Sequence, residues 1–133
     1  MTKSPTARIL VIDDEPAVVD VLVTSLREEG YRASWALTGD EGLKEFVVHR
    51  PDLVLLDIAL PGGMDGIELM KRIRSVEPNA RVVMVTGNVD PAVARTTLEL
   101  GALAYVDKPF DFAYLMRVVA MALRAPSQAG SSL

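Results

Sequence analysis

Five polar residues of this chain have side chains suited to handling a metal ion and a phosphoryl group: Asp13, Asp14, Asp57, Thr86 and Lys108. Three carboxylates brought close together repel one another unless a cation neutralises them. A hard divalent cation such as Mg²⁺ prefers oxygen ligands and keeps some positions for water and phosphate oxygens. Where a cation and a lysine ammonium screen the incoming charge, the Asp57 carboxylate can act as a nucleophile and form an acyl phosphate.

The five residues stand at the ends of short apolar runs, which indicates how the chain can bring them together. The runs cover residues 9–12, 53–56, 82–85 and 104–106, and each is followed within two residues by at least one of the five. If the runs are parallel strands of one sheet, their carboxyl ends lie along one edge, where open α/β sheets bind ligands. The sequence therefore predicts a ligand site at that edge.

Helical patterns separate the runs and carry recognisable start and stop signals. Thr38 with Glu41, and Asp65 with Glu68, have the spacing of a capping box. The remaining start signals are Asp14-Glu15-Pro16, Asp90-Pro91 and Asp111, and the stop signals are Gly30 after the first helix and Gly101 after the fourth.

Strict alternation of five strands and five helices predicts an α/β fold with a five-stranded parallel sheet in the order 2-1-3-4-5, flanked by five helices in the flavodoxin-like, doubly wound arrangement. The mixed run at 31–36 and the short run at 102–106 are predicted edge strands. We expect one domain over residues 1–124 and a flexible tail or linker stub at 125–133. The spacing of the fourth helix places four residues inward: Val93, Ala94, Thr97 and Leu98.

Composition narrows the class of protein. The chain has 133 residues, of which 50% are apolar and 24% charged, and this suits one globular domain with a core. It has no cysteine, which excludes disulfides and thiolate chemistry. No apolar stretch at the start resembles a signal peptide or a membrane span, so we expect a cytoplasmic protein with no membrane partner. The net charge of −4 argues against direct binding of nucleic acid by this segment.

Short motifs surround the five polar residues. They are Val-Ile-Asp13-Asp14-Glu, Leu-Leu-Asp57 with Leu60-Pro61, Met64-Asp65-Gly66, Val-Thr86-Gly87 and Asp107-Lys108-Pro109-Phe110. With these motifs the chain resembles the receiver domains of two-component response regulators, from about Arg8 to Arg124. The loop before Met64 departs from the family pattern, because Gly62 and Gly63 stand where one residue is usual.

The resemblance implies a Mg²⁺-dependent reaction in which Asp57 accepts a phosphoryl group. The donor would be the phosphohistidine of a sensor histidine kinase or phosphotransfer protein, or a small acyl phosphate. Lys108 and Thr86 would contact the phosphoryl oxygens, and the Lys108–Pro109 peptide bond would be cis. Such a domain is not an enzyme acting on other substrates. It is a phosphoacceptor that catalyses its own phosphorylation and dephosphorylation.

The same resemblance implies a metal site and a switch. Mg²⁺, or Mn²⁺ in its place, would be held by Asp14, Asp57 and the backbone carbonyl of Ala59, with Asp13 acting largely through water.

In the implied switch, Thr86 moves toward the phosphoryl group and Tyr105 rotates inward. This would alter the face formed by the fourth helix, the fifth strand and the fifth helix. An effector domain, a downstream protein or a second copy in a phosphorylation-dependent homodimer would then bind there. The alternative reading of Tyr105 is an ordinary half-buried aromatic residue of an edge strand.

Other classes of protein share some of these residues but fit the sequence less well. A haloacid-dehalogenase-type phosphatase would need a second acid two residues after Asp57, where this chain has Ala59. A flavodoxin would need a phosphate loop in place of the acidic segment 13–15. Asp13 and Asp14 alone also fit a role as helix N-caps. An interaction module that has lost the chemistry is a further alternative, against which the complete set of site residues argues.

Overall fold

The computed structural model describes residues 6–88 and 90–126 of the chain. Within these residues, five strands alternate with five helices, as predicted. The strands are β1 (Arg8–Ile12), β2 (Arg32–Ala36), β3 (Leu53–Leu56), β4 (Val82–Thr86) and β5 (Ala104–Asp107), and the helices are α1 (Pro16–Glu28), α2 (Gly39–His49), α3 (Gly66–Val76), α4 (Pro91–Glu99) and α5 (Phe112–Arg124).

The sheet has the predicted topology. Its strands are parallel and lie in the order β2-β1-β3-β4-β5. This confirms the α/β class, with helices on both faces of the sheet. Every residue of β3 and β4 is buried, which explains why these runs are apolar without interruption.

The sheet divides the core into two layers. Leu10 and Ile12 of β1 pack on one face with buried side chains of α2 and α3, and α4 contributes the partly buried Val93 to that layer. Ile9 and Val11 pack on the other face with α1 and α5. Successive side chains of a strand point to opposite faces, so both faces of β1 are used for packing. Reactive side chains are therefore left to the ends of the strands.

Four of the five helices begin at the predicted caps. The Thr38 hydroxyl accepts a hydrogen bond from the Glu41 N–H at 3.1 Å, and the Asp65 carboxylate accepts one from Glu68 N–H at 2.9 Å. Asp90 and Asp111 cap α4 and α5 in the same way. Each bond satisfies a backbone N–H that the first turn of a helix leaves without a partner.

The start of α1 differs from the prediction. Its N-cap is Glu15, whose side chain makes no capping bond, and the first turn carries no acidic residue. Asp14 lies outside the helix, and Asp13 accepts a bond from the Glu15 N–H at 2.9 Å without being the N-cap. The carboxylates of the acidic pair thus remain close to the sheet edge.

The predicted inward face of α4 was wrong at one position. Leu98 is 48% exposed, whereas Thr97 is fully buried and Val93 packs against the core. Thr97 lies one turn after Val93, and Leu98 is rotated by about 100° from Thr97, which takes it away from the sheet. The apolar type of Leu98 was therefore a poor guide to its orientation.

The end of α5 lies close to the predicted domain boundary. The helix ends at Arg124, and the Arg81 guanidinium donates two hydrogen bonds to the Ala125 carbonyl, at 3.3 and 2.9 Å. Residues 127–133 of the predicted tail lie outside the described part of the chain. Among the described residues, no helix combines the length and apolar character that crossing a bilayer would require.

Candidate functional site

The carboxyl ends of the strands bring the predicted site residues to one edge. Ile12 and Leu56 are register partners in β1 and β3, and the Asp57 N–H donates to the Ile12 carbonyl at 3.0 Å. Asp13 and Asp57 are therefore neighbours across two adjacent strands. On the other side of β3, the Lys108 N–H donates to the Thr86 carbonyl at 3.0 Å, which ties the end of β5 to the end of β4.

Lys108 is the centre of the site. Its Nζ lies 2.5 Å from Asp13 Oδ2 and 2.8 Å from Asp57 Oδ2, with Glu15 Oε1 more distant at 3.4 Å. The side chains of Asp13 and Asp57 are 3% and 5% exposed, and that of Lys108 is 15% exposed. The lysine thus reaches from β5 across to β1 and holds two nearly buried carboxylates together. The Lys108–Pro109 peptide bond is cis.

Burial and ion pairing set the charge state of these groups. Burial raises the pKa of the Asp13 carboxyl, and the hydrogen bonds from Lys108 and the Glu15 N–H offset this only in part. Burial alone lowers the pKa of the Lys108 ammonium, but its hydrogen bonds to Asp13 and Asp57 outweigh that effect and raise it. Lys108 therefore carries a positive charge throughout the neutral range.

Four carboxylates form a candidate cation site. Asp13, Asp14, Glu15 and Asp57 each offer an oxygen, and these oxygens all lie within 4.8 Å of one another. Asp14 and Glu15 are exposed, whereas Asp13 and Asp57 are buried. Oxygen donors in such a cluster fit a hard cation such as Mg²⁺ or Mn²⁺. The Ala59 N–H donates to Asp57 Oδ1 at 3.2 Å, which places Ala59 beside the Asp57 carboxylate.

Glu15 is a member of this cluster that the sequence reasoning did not assign to the site. It approaches Lys108 as well as the other carboxylates. The available signal was its position directly after the Asp13-Asp14 pair. The sequence also predicts that Glu15 belongs to the start of the first helix. In the structure Glu15 is the N-cap of α1, and this position keeps it at the sheet edge.

Thr86 and Tyr105 both contact the backbone of Asn88. The buried Thr86 hydroxyl accepts a hydrogen bond from the Asn88 N–H at 3.4 Å. The half-buried Tyr105 hydroxyl donates to the Asn88 carbonyl at 2.5 Å. Burial, together with the negative charges of Asp107, Asp57 and Asp90, raises the pKa of the Tyr105 phenol, so it keeps the proton it donates. The two residues are thereby linked through one loop residue.

Gly66 packs against the backbone of the central carboxylate. Its N–H donates to the Ile58 carbonyl at 2.8 Å, and a Cβ at this position would lie 2.2 Å from the Asp57 carbonyl oxygen. Any other residue there would force this backbone to move. The preceding loop accommodates its additional residue with Gly62 at a φ of +87°, a backbone conformation that glycine adopts without strain.

Comparisons with known proteins agree on one family. The sequence model of the response regulator receiver domain matches residues 9–120. The chain therefore belongs to the response regulator receiver domain family, a signalling domain of two-component systems whose partners are histidine kinases or phosphotransfer proteins.

Individual relatives support this assignment. Sporulation initiation phosphotransferase F of Bacillus subtilis (strain 168) is 39% identical over 104 residues, which cover 78% of this chain and 83% of that protein. The nitrogen assimilation regulatory protein NtrX of Azorhizobium caulinodans is 38% identical over 118 residues, but these cover 86% of this chain and only 26% of NtrX. Some relatives are thus far longer than the matched domain.

A solved structure confirms the fold. The CheY-like response regulator receiver domain protein of Methanospirillum hungatei JF-1 has a TM-score of 0.85 and 34% identity to this chain. The match covers 90% of this chain and 94% of that structure. The likeness therefore extends over nearly the whole of both molecules.

Proposed function

We propose that this domain is a phosphoacceptor in which Asp57 receives a phosphoryl group from the phosphohistidine of a histidine kinase or phosphotransfer protein, or from a small acyl phosphate. The observation that carries the proposal is the Lys108 ammonium, which lies 2.8 Å from Asp57 Oδ2 in a nearly buried site. A buried carboxylate beside a permanent positive charge can receive an anionic group with less repulsion.

In the transfer, an Asp57 oxygen forms a new bond to phosphorus. The P–N bond of phosphohistidine breaks at the same centre, and the imidazole leaves with its electron pair. Negative charge on the phosphoryl oxygens then lies close to Lys108, whose ammonium stabilises it. Lys108 also pairs with Asp13, so its single positive charge offsets only part of the negative charge at the site.

The acidic cluster supports a requirement for a divalent cation. Asp13, Asp14, Asp57 and the Ala59 carbonyl would hold Mg²⁺ or Mn²⁺, which when bound would neutralise charge on the phosphoryl oxygens. Glu15 adds a fourth carboxylate to the same cluster. Ala59 argues against a haloacid-dehalogenase-type phosphatase, since that mechanism needs a second acid two residues after the nucleophile.

We propose that Thr86 and Tyr105 transmit the modification. The Thr86 hydroxyl turns toward the phosphoryl oxygens and gives up its bond to the Asn88 N–H. The same movement weakens the Tyr105–Asn88 contact and lets the phenol rotate inward. Because Tyr105 belongs to β5, the change reaches the face of α4, β5 and α5, where an effector domain, a downstream protein or a second copy would bind. We assign residues 1–124 to the receiver and 125–133 to a tail or linker.

The test is the intact mass of the protein after treatment with acetyl phosphate, with and without Mg²⁺. We expect one phosphoryl adduct on the wild type with Mg²⁺, and none on Asp57→Asn. The matched control is Asp40→Asn, which removes an exposed carboxylate in the first turn of α2 and leaves the adduct unchanged. A folded wild-type protein that takes up no phosphoryl group, alongside a receiver that does, would refute the proposal.

A further inference from the structure

Two arginines lie side by side at the edge of the sheet opposite the acidic site. Arg8 and Arg32 begin β1 and β2 and are register partners. Residues paired in this way project to the same face of a parallel sheet. Arg8 lies on the same face of the sheet as Leu10 and Ile12. Helix α2 covers this face and ends there at His49.

The two arginines line a concave pocket. It has a volume of about 260 Å³ and is shallow and partly open to solvent. Its lining is mostly apolar, and two arginines and a histidine are among the residues that form it. The lining residues are Arg8, Arg32, Ala33, Ser34, His49 and Pro51.

No carboxylate among the described residues forms an ion pair with either arginine of this pocket. Within residues 6–88 and 90–126, neither guanidinium has a hydrogen bond or an ion pair. The Asp52 carboxylate accepts from the backbone N–H of Arg8 at 2.8 Å. His49 Nε2 lies 3.5 Å from Glu45 Oε2 on its own helix. Arg8 and Arg32 are both exposed, and their like charges on neighbouring strands repel each other.

We infer that this pocket binds a phosphate group, either free phosphate or the phosphomonoester of a nucleotide. An oxyanion between Arg8 and Arg32 would offset their repulsion and accept from guanidinium N–H groups that have no acceptor among the described residues. The planar guanidinium suits the oxygens of phosphate, to which it can donate two parallel hydrogen bonds. The net charge of −4 gives no broad attraction to an extended polyanion such as a nucleic acid.

This site is separate from the proposed phosphoacceptor site. Arg8 and Asp13 are five residues apart along an extended strand and its end, a separation of about 16 Å. A phosphate group in the arginine pocket would therefore not compete with a phosphoryl group at Asp57. The inference goes beyond the proposed function and stands or falls without it.

The test is a ¹⁵N NMR titration of the 133-residue chain without Mg²⁺, using inorganic phosphate and, separately, AMP, with NaCl holding the ionic strength constant. We expect saturable shifts of the backbone amides of residues 8, 32–34 and 49. Arg8→Gln and Arg32→Gln should each weaken binding about tenfold, because each removes a charge-assisted hydrogen bond. Saturation by AMP alone would identify a nucleotide as the ligand, and saturation by both would identify any phosphate group.

The matched control is Arg124→Gln, which removes an exposed arginine at the end of α5 on the other face of the sheet. It should leave binding unchanged within about twofold, and thermal unfolding of all three variants checks that they fold. Shifts that do not saturate with either ligand, or that persist in both Arg8→Gln and Arg32→Gln, would overturn the inference. So would saturable shifts confined to the amides around Asp57 and Lys108.

Discussion

Replacement of Gly66 by alanine tests whether close packing at the start of α3 holds the Asp57 backbone in place. A Cβ at Gly66 would lie 2.2 Å from the Asp57 carbonyl oxygen and 2.6 Å from Ile58 Cα. Both are backbone atoms, so no side chain can rotate away to make room. Ordinary contacts between heavy atoms lie at about 3.5 Å, so α3 and the end of β3 must separate by roughly 1 Å.

The expected loss of stability follows from three contributions. Forcing an additional carbon into a packed site costs about 1–3 kcal/mol. Weakening of the 2.8 Å hydrogen bond from the Gly66 N–H to the Ile58 carbonyl adds about 1 kcal/mol. The better helix propensity of alanine returns at most about 1 kcal/mol. We expect the free energy of unfolding of Gly66→Ala to fall by about 1–4 kcal/mol, a substantial part of the stability of a domain of this size.

Urea denaturation followed by circular dichroism measures this change. The matched control is Gly63→Ala, because a Cβ at Gly63 meets no atom within 4 Å and its φ does not require glycine. The control should change stability by less than about 0.5 kcal/mol. If Gly66→Ala is as stable as Gly63→Ala, the close approach of α3 to the Asp57 backbone does not explain why glycine stands at position 66.

Two further predictions concern the charges of the site. Lys108→Gln leaves the carboxylates of Asp13 and Asp57 buried without a counter-ion. In urea denaturation without Mg²⁺, its free energy of unfolding should be about 3 kcal/mol lower than that of the wild type, and added Mg²⁺ should restore part of this loss. The exposed Lys71→Gln should show no such loss, and equal stability of the two variants would contradict the assigned ion pairs. Burial raises the pKa of the Asp13 carboxyl in the folded state, so the folded protein binds this proton more tightly than the unfolded chain does. As the pH rises above the ordinary pKa of 3.8, ionisation of Asp13 therefore lowers the free energy of unfolding. Denaturation curves from pH 3 to pH 8 should therefore show a smaller decline for Asp13→Asn than for the wild type, and parallel curves would show that burial of this carboxylate has no net cost.

Most of the architecture could be predicted from local patterns. Thr38, Asp65, Asp90 and Asp111 cap their helices as expected, because an N-cap depends only on residues within one turn. The order of the strands also followed, since alternating strands and helices leave few ways to build a parallel sheet. Leu98 was misplaced because the rotation of α4 about its axis is set by contact with the sheet.

The sequence by itself determined the fold class, the caps of four helices and the identity of the five polar residues at the strand ends. Only the tertiary structure decided which of them touch. Lys108 holds Asp13 and Asp57 because three strands that are distant in the sequence end at one edge. The same pairing of distant strands added Glu15 to the acidic cluster and placed Arg8 beside Arg32. Periodicity shows which residues face inward, but the electrostatics of a site depends on distances between side chains, and register and packing set those distances.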